Sequence, residues 1–214
     1  MGLKETKLSK IIESAYQLKK ADRLSYGDFY SSSYFEEITN TYNSLGGASG
    51  MFPTRYRYDI QSKDFIVELD EENHFNRYRK ATLSNSSYQN LRTFSLKDYI
   101  SYCDLYENKC RRDGKFGDNP SAKGHFSSKA LNIVDIGFSR WKQRAFYDYL
   151  KDIAQSIQSK PLVRLSIYEE IDGYTIGKIL DNAIVGKYNE VLDIIESRLV
   201  KQTFPHQSPS IPAR

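Results

Sequence analysis

The stretch from Thr54 to Asp70 constrains the fold more than any other. TRYRYDI (54–60) alternates aromatic or apolar residues with charged ones. Gln61-Ser62-Lys63 is polar and turn-like, and DFIVEL (64–69) is a short apolar run closing on carboxylates. A period of two, a turn and a continuous apolar run predict a β-hairpin whose second strand is buried. The acidic residues then collect at one end of that hairpin.

Helical spacing surrounds it. Leu8, Ile11, Ile12, Ala15, Tyr16 and Leu18 predict a helix within 3–20. Asp28 to Ser33 reads as a turn, and Tyr34 to Leu45 as a helix ended by Gly46-Gly47. Residues 71–83 read as helix or loop. Ser95 caps a helix over Leu96–Arg112, and 113–130 reads as a long loop. A helix over Ser139–Gln158 carries Trp141, Ala145, Tyr149 and Ile153, and Lys160-Pro161 ends it. LVRLSIY (162–168) predicts a strand, 171–184 a turn or short helix, and Lys187–Val200 a last helix. Strands interleaved with helices define an α/β (α+β) chain, with a small mixed sheet flanked by helices. A length of 214 residues suits one domain over 1–204, its core about 33–168, with a loose Pro- and Ser-rich end at 205–214.

Composition removes whole classes. With 39% hydrophobic residues, 12 Gly and 6 Pro, the chain is neither collagen-like nor wholly disordered, and no run suits a membrane span. The first dozen residues lack the apolar core of a signal peptide. Cys103 and Cys110 lie seven apart on one expected helix, roughly 10 Å, too far for a disulfide. They read as reduced thiols in a cytoplasmic setting. Seventeen tyrosines are many. Most fall at packing positions, among them Tyr56, Tyr58, Tyr99, Tyr106 and Tyr149, leaving Tyr78 and Tyr147 for a site.

The chemistry gathers at the hairpin's acidic end. Glu68 and Asp70 are two apart and share a strand face, with Asp59 on the paired strand. Three carboxylates at the end of a buried strand repel one another unless a cation intervenes. Mg²⁺ or Mn²⁺ takes oxygen ligands of this kind, so Asp59, Glu68 and Asp70 are the expected metal ligands. His74 follows as a ligand or general base. Glu71 and Glu72 read as surface residues, and His125 and His206 carry no role. Arg77 and Arg79, with Lys80, place positive charge next to the acidic set, which suits a phosphate polymer. The formal charge of +4 decides little, but it sums an acidic cluster at 68–72 with basic runs at 77–80 and 109–115.

Asp59, the apolar strand, Glu68-Leu69-Asp70 and His74 together resemble the PD-(D/E)XK nuclease superfamily, and within it the branch related to very-short-patch repair endonucleases. The resemblance covers residues 54–83 and, more loosely, 139–168. It implies a restriction-endonuclease-like core, Mg²⁺- or Mn²⁺-dependent hydrolysis of nucleic acid (DNA more than RNA), and a possible homodimer. The chain departs from the pattern at two points. Asp70 stands where the family usually has Lys, and Tyr58 where it has Pro. Arg140, Lys142, Gln143 and Arg144 on the helix at 139–158 are candidates for the missing cation, Lys142 and Arg144 as phosphate binders. Gln143 and Tyr147 fit the family's Q-x-x-x-Y spacing, and Glu36 or Glu37 would join the site from an early helix. The missing Lys motivates a second expectation: a nucleic-acid- or partner-binding protein on a decayed nuclease fold.

Overall fold

The computed structural model describes residues 2–20, 23–48, 50–91, 93–112, 120–127 and 138–202. The expected loose end at 205–214, His206 and most of the long loop lie outside the described residues. The elements are α1 (Leu3–Glu13), α2 (Tyr26–Tyr30), α3 (Phe35–Ser44), β1 (Ile60–Gln61), β2 (Ile66–Asp70), α4 (Arg77–Thr82), α5 (Leu96–Arg112), α6 (Pro120–Lys123), α7 (Ser139–Gln158), β3 (Leu162–Ser166), β4 (Glu170–Ile171), β5 (Tyr174–Thr175), α8 (Ile176–Asp181) and α9 (Tyr188–Val200). The fold is mixed α/β.

The central sheet has the order β1-β2-β3, antiparallel between β1 and β2 and parallel between β2 and β3. Every residue of β2 and β3 is buried. The parallel pair explains this, because helices cover both its faces. Val67, Leu69, Val163 and Leu165 pack with Leu8, Ile11 and Ile12 of α1 and with the apolar residues of α8 and α9. Ile66 and Leu162 join the opposite core with α7, through Leu150, Ile153 and Ala154. Each such aliphatic side chain contributes roughly 1.5–3 kcal/mol on burial. The alternation in β2 therefore separates two interiors rather than inside from outside. Val67 and Leu69 enter an apolar core, while Glu68 and Asp70 point with Arg164 and Ser166 toward α7.

The hairpin is shorter than the pattern 54–60 predicts. Only Ile60 and Gln61 pair, with Val67 and Ile66. The next pair in register would be Asp59 with Glu68, and there side chains take over from the ladder. The Asp59 N–H donates to Glu68 Oε1 at 3.1 Å, and the Leu69 N–H donates to Asp59 Oδ2 at 3.0 Å. The two carboxylates satisfy backbone donors that a continued ladder would have used.

The helix expected within 3–20 stops at Glu13. Leu18 instead bridges Ser62, and the Lys19 N–H donates to the Gln61 carbonyl at 2.9 Å, extending the sheet beyond β1. Of the turn expected at 28–33, residues 28–30 belong to α2, capped by Ser25, and 31–33 are turn. α7 ends where Lys160-Pro161 predicts, with Ser159 in the left-handed region at φ 51°. Asn76 caps α4, its Oδ1 accepting from the Tyr78 and Arg79 N–H groups. Cys103 and Cys110 are buried free thiols. Among the described residues, no helix is long and apolar enough to cross a membrane.

Candidate functional site

Burying Glu68 and Asp70 on one strand face is costly unless cations meet them. Two do, and neither comes from nearby in sequence. Lys151 of α7 forms an ion pair with Glu68. Burial, then the neighbouring Asp59 carboxylate, push the Glu68 carboxyl up to about 8, with Lys151 and Arg164 pulling the other way. Burial works against the Lys151 ammonium, but Glu68, Asp59 and Asp148 outweigh it and hold its pKa above the ordinary lysine value. Lys151 stays charged, and Glu68 is the member of the pair whose charge is in play near neutral pH.

Arg164 of β3 meets the other carboxylate, its Nη1 donating to Asp70 Oδ1 at 2.7 Å. Its Nε donates to Asp152 Oδ1 at 2.6 Å and its Nη2 to the Asp148 carbonyl at 3.0 Å. Arg79 closes the far side, its Nη2 donating to Asp152 Oδ2 at 2.8 Å, and Tyr88 OH donates to the same oxygen at 2.7 Å. At the near side, His74 Nδ1 lies 2.7 Å from Asp148 Oδ2 and 3.2 Å from Asp70 Oδ1. Burial opposes ionisation of Asp148, but His74 and Arg164 hold its carboxyl well below the usual range. Asp70 Oδ2 is buried with no hydrogen-bond partner.

Above these groups opens a cleft of about 260 Å³ lined by Arg55, Tyr56, Arg57, His74, Arg140, Arg144, Tyr147, Asp148 and Lys151. One wall is the extended segment before β1, where Arg55 and Arg57 are exposed while Tyr56 and Tyr58 turn inward. The other wall is α7. Its residues 140, 144, 147, 148 and 151 recur at three- and four-residue intervals, which is one helix face. On that wall Gln143 Oε1 accepts from Arg140 Nη1 at 2.6 Å. Arg144 Nη1 also donates to the Asn73 carbonyl at 3.2 Å. Four guanidiniums and an ammonium beside two buried carboxylate groups make an anion-binding cleft with an acidic floor.

The structure divides the expected acidic set. Asp59 and Glu68 interlock, whereas Asp70 turns to Arg164 and His74. Among the expected phosphate binders, Arg144 lines the cleft. Arg79 does not reach it: fully buried, it is committed to Asp152 and Tyr88. Lys142 is likewise buried, its Nζ donating to the Ser127 carbonyl at 3.0 Å and lying 5.5 Å from the Tyr78 ring centre, which places Tyr78 in the core as well. Arg77 pairs with Glu107 through its Nε at 2.6 Å. Glu37 lies elsewhere, accepting from Tyr149 OH and Ser86 Oγ, and with Glu36 it lines a separate groove. Sequence reasoning missed Lys151, Asp148, Arg164 and Asp152. The spacing 140-144-148-151 along α7 was the available signal, hidden because Asp and Lys on a helix usually mark a solvated face.

Fold and site together define a mixed α/β protein with a cationic cleft over a buried acid–base network. The chain belongs to the family of unknown function DUF7255, which matches residues 40–184 and so includes every residue of the cleft and network. No curated protein and no solved structure matches the chain.

Proposed function

We propose that the protein is a metal-dependent nuclease that hydrolyses phosphodiester bonds, with DNA as the favoured substrate and a restriction-endonuclease-like core. The observation that carries this reading is the convergence of Arg55, Arg57, Arg140, Arg144 and Lys151 in a cleft beside the interlocked Asp59 and Glu68. Lys151 supplies from α7 the cation missing at position 70 of the strand motif. The donor set fits Mg²⁺ or Mn²⁺, because Asp59 and Glu68 offer hard oxygens and burial, with the Asp59 charge beside it, pushes the Glu68 carboxyl up to about 8. Asp70, third in the expected set, faces His74 from the next position along the face.

Asp59 and Glu68 would hold the ion, which when bound supplies an activated water and polarises the phosphate. The chain's own groups do the rest. The four arginines bind successive phosphates and hold the scissile one against the floor. Lys151 neutralises charge that develops on the phosphoryl oxygens. With Nδ1 engaged by Asp148, His74 presents Nε2 as the base that takes the proton of the attacking water. Two copies would be paired to cut both strands of a duplex.

The test is cleavage of single- and double-stranded DNA and RNA in Mg²⁺ or Mn²⁺, with chelator controls. Asp59→Ala and Glu68→Ala should each lower the rate by about 100-fold or more. Activity that survives both substitutions overturns the assignment. A second reading is favoured by one observation: Lys151 already sits on Glu68, where a metal would bind. In that case the protein binds nucleic acid without cutting it. Salt-sensitive binding with no cleavage in any divalent metal selects it.

A further inference from the structure

A second set of ligand atoms stands apart from Asp59 and Glu68. Asp70, His74 and Asp148 each offer one ligand atom within 4.8 Å of the others, the one such group among the described residues. Asp70 is fully buried, and Arg164 and His74 both engage its Oδ1. Its Oδ2 is left buried with no partner, a desolvated acceptor that a bound cation would satisfy. His74 and Asp148 line the cleft, so an ion held by them keeps positions open toward it.

A donor set of two carboxylates and one imidazole suits a first-row transition ion better than Mg²⁺, which prefers oxygen alone and keeps its waters.

We propose that Asp70, His74 and Asp148 form a binding site for a transition-metal dication, of which Mn²⁺ and Zn²⁺ are the probes, at the inner end of the arginine cleft. Arg164 and Asp152 lie behind Asp70 and Asp148 and hold them in place, as outer partners of metal ligands do. The inference rests on the hydrolase reading for the ion's purpose, not for its binding, and with the ion bound His74 is a ligand in place of the base.

The experiment uses the full chain without nucleic acid. Mn²⁺ is titrated by calorimetry and observed by electron paramagnetic resonance, with Zn²⁺ and Mg²⁺ titrated in parallel. The expected result is a bound Mn²⁺ whose spectrum carries histidine nitrogen coupling, and affinity for Mn²⁺ and Zn²⁺ at least 10-fold above that for Mg²⁺. His74→Gln should abolish the coupling, and it and Asp148→Asn should weaken binding by about 10- to 100-fold. Asp59→Asn should leave the coupling intact. His74 is partly exposed, so its variant keeps the test valid if Asp148→Asn fails to fold. No uptake of Mn²⁺ or Zn²⁺ by the folded chain, equal affinity for Mg²⁺, or coupling that survives His74→Gln overturns the proposal. Metal uptake without cleavage sinks the nuclease reading alone, and cleavage in Mg²⁺ without transition-metal uptake sinks this inference alone.

Discussion

Arg164 is the residue on which the buried network turns. It is fully buried and bonds Asp70, Asp152 and the Asp148 carbonyl at once. Arg164→Met would leave buried Asp70 without its arginine and Asp152 with Arg79 alone, and about 3–5 kcal/mol of stability should be lost in urea titration. Glu37 offers a separate test of sign. Burial tends to raise its pKa, but hydrogen bonds from Ser86, Ser87 and Tyr149 leave it below the ordinary 4.5. A carboxyl depressed in the folded state adds stability above its unfolded value, and that stability is lost as pH falls through the folded one. Glu37→Gln should therefore lower the melting temperature at pH 7 and make little difference in strong acid. At this scale the sequence was half legible. Glu68 and Asp70 were readable as buried carboxylates sharing a face, because strand periodicity dictates it. Arg79 and Lys142 read as phosphate binders and are core residues, because nothing local reveals that Asp152 or the Tyr78 ring awaits them.

Among the elements, α7 carries the most. It lays an apolar face on one core, sends Asp148, Lys151 and Asp152 to the sheet, and lines the cleft with Arg140, Arg144 and Tyr147. Its ends matched the expectation from Lys160-Pro161, since a break in propensity is a local property. The β1–β2 hairpin did not extend as its alternation predicted, because Asp59 and Glu68 took the backbone bonds at the next pair. Helix α8 gives an element-scale prediction. A Cβ on Gly177 would come 2.9 Å from the Ile167 carbonyl oxygen, which accepts the Gly177 N–H. Gly177→Ala should push α8 off the end of β3 and cost about 1–3 kcal/mol in thermal or chemical unfolding.

Over the whole molecule, the sheet divides two interiors of different chemistry. The face toward α1, α8 and α9 is apolar, and the face toward α7 carries the charges. The apolar face is covered by elements outside the expected 33–168 core, so the end helices shield the sheet that holds the carboxylates. The cleft on the charged side leads to a prediction for binding. Replacing Arg140 and Arg144 together by Gln should weaken nucleic-acid affinity across all sequences. The salt dependence should also fall, by about one unit of slope for each phosphate that is no longer neutralised. Measurement by fluorescence anisotropy across a salt series checks it, and an unchanged slope removes α7 from the binding face.

By itself the sequence determined the periodic elements, the α/β class and the burial of two carboxylates on one strand face. These follow from spacing along the chain, which fixes the direction of a side chain within its own element. Only the tertiary structure decided which charges meet. Lys151 reaches Glu68 across 83 residues and Arg164 reaches Asp70 across 94. Coulomb attraction and hydrogen bonding act over a few ångströms of space and take no account of sequence separation, so the partners of the buried acids became visible only when α7 and β3 were packed against β2.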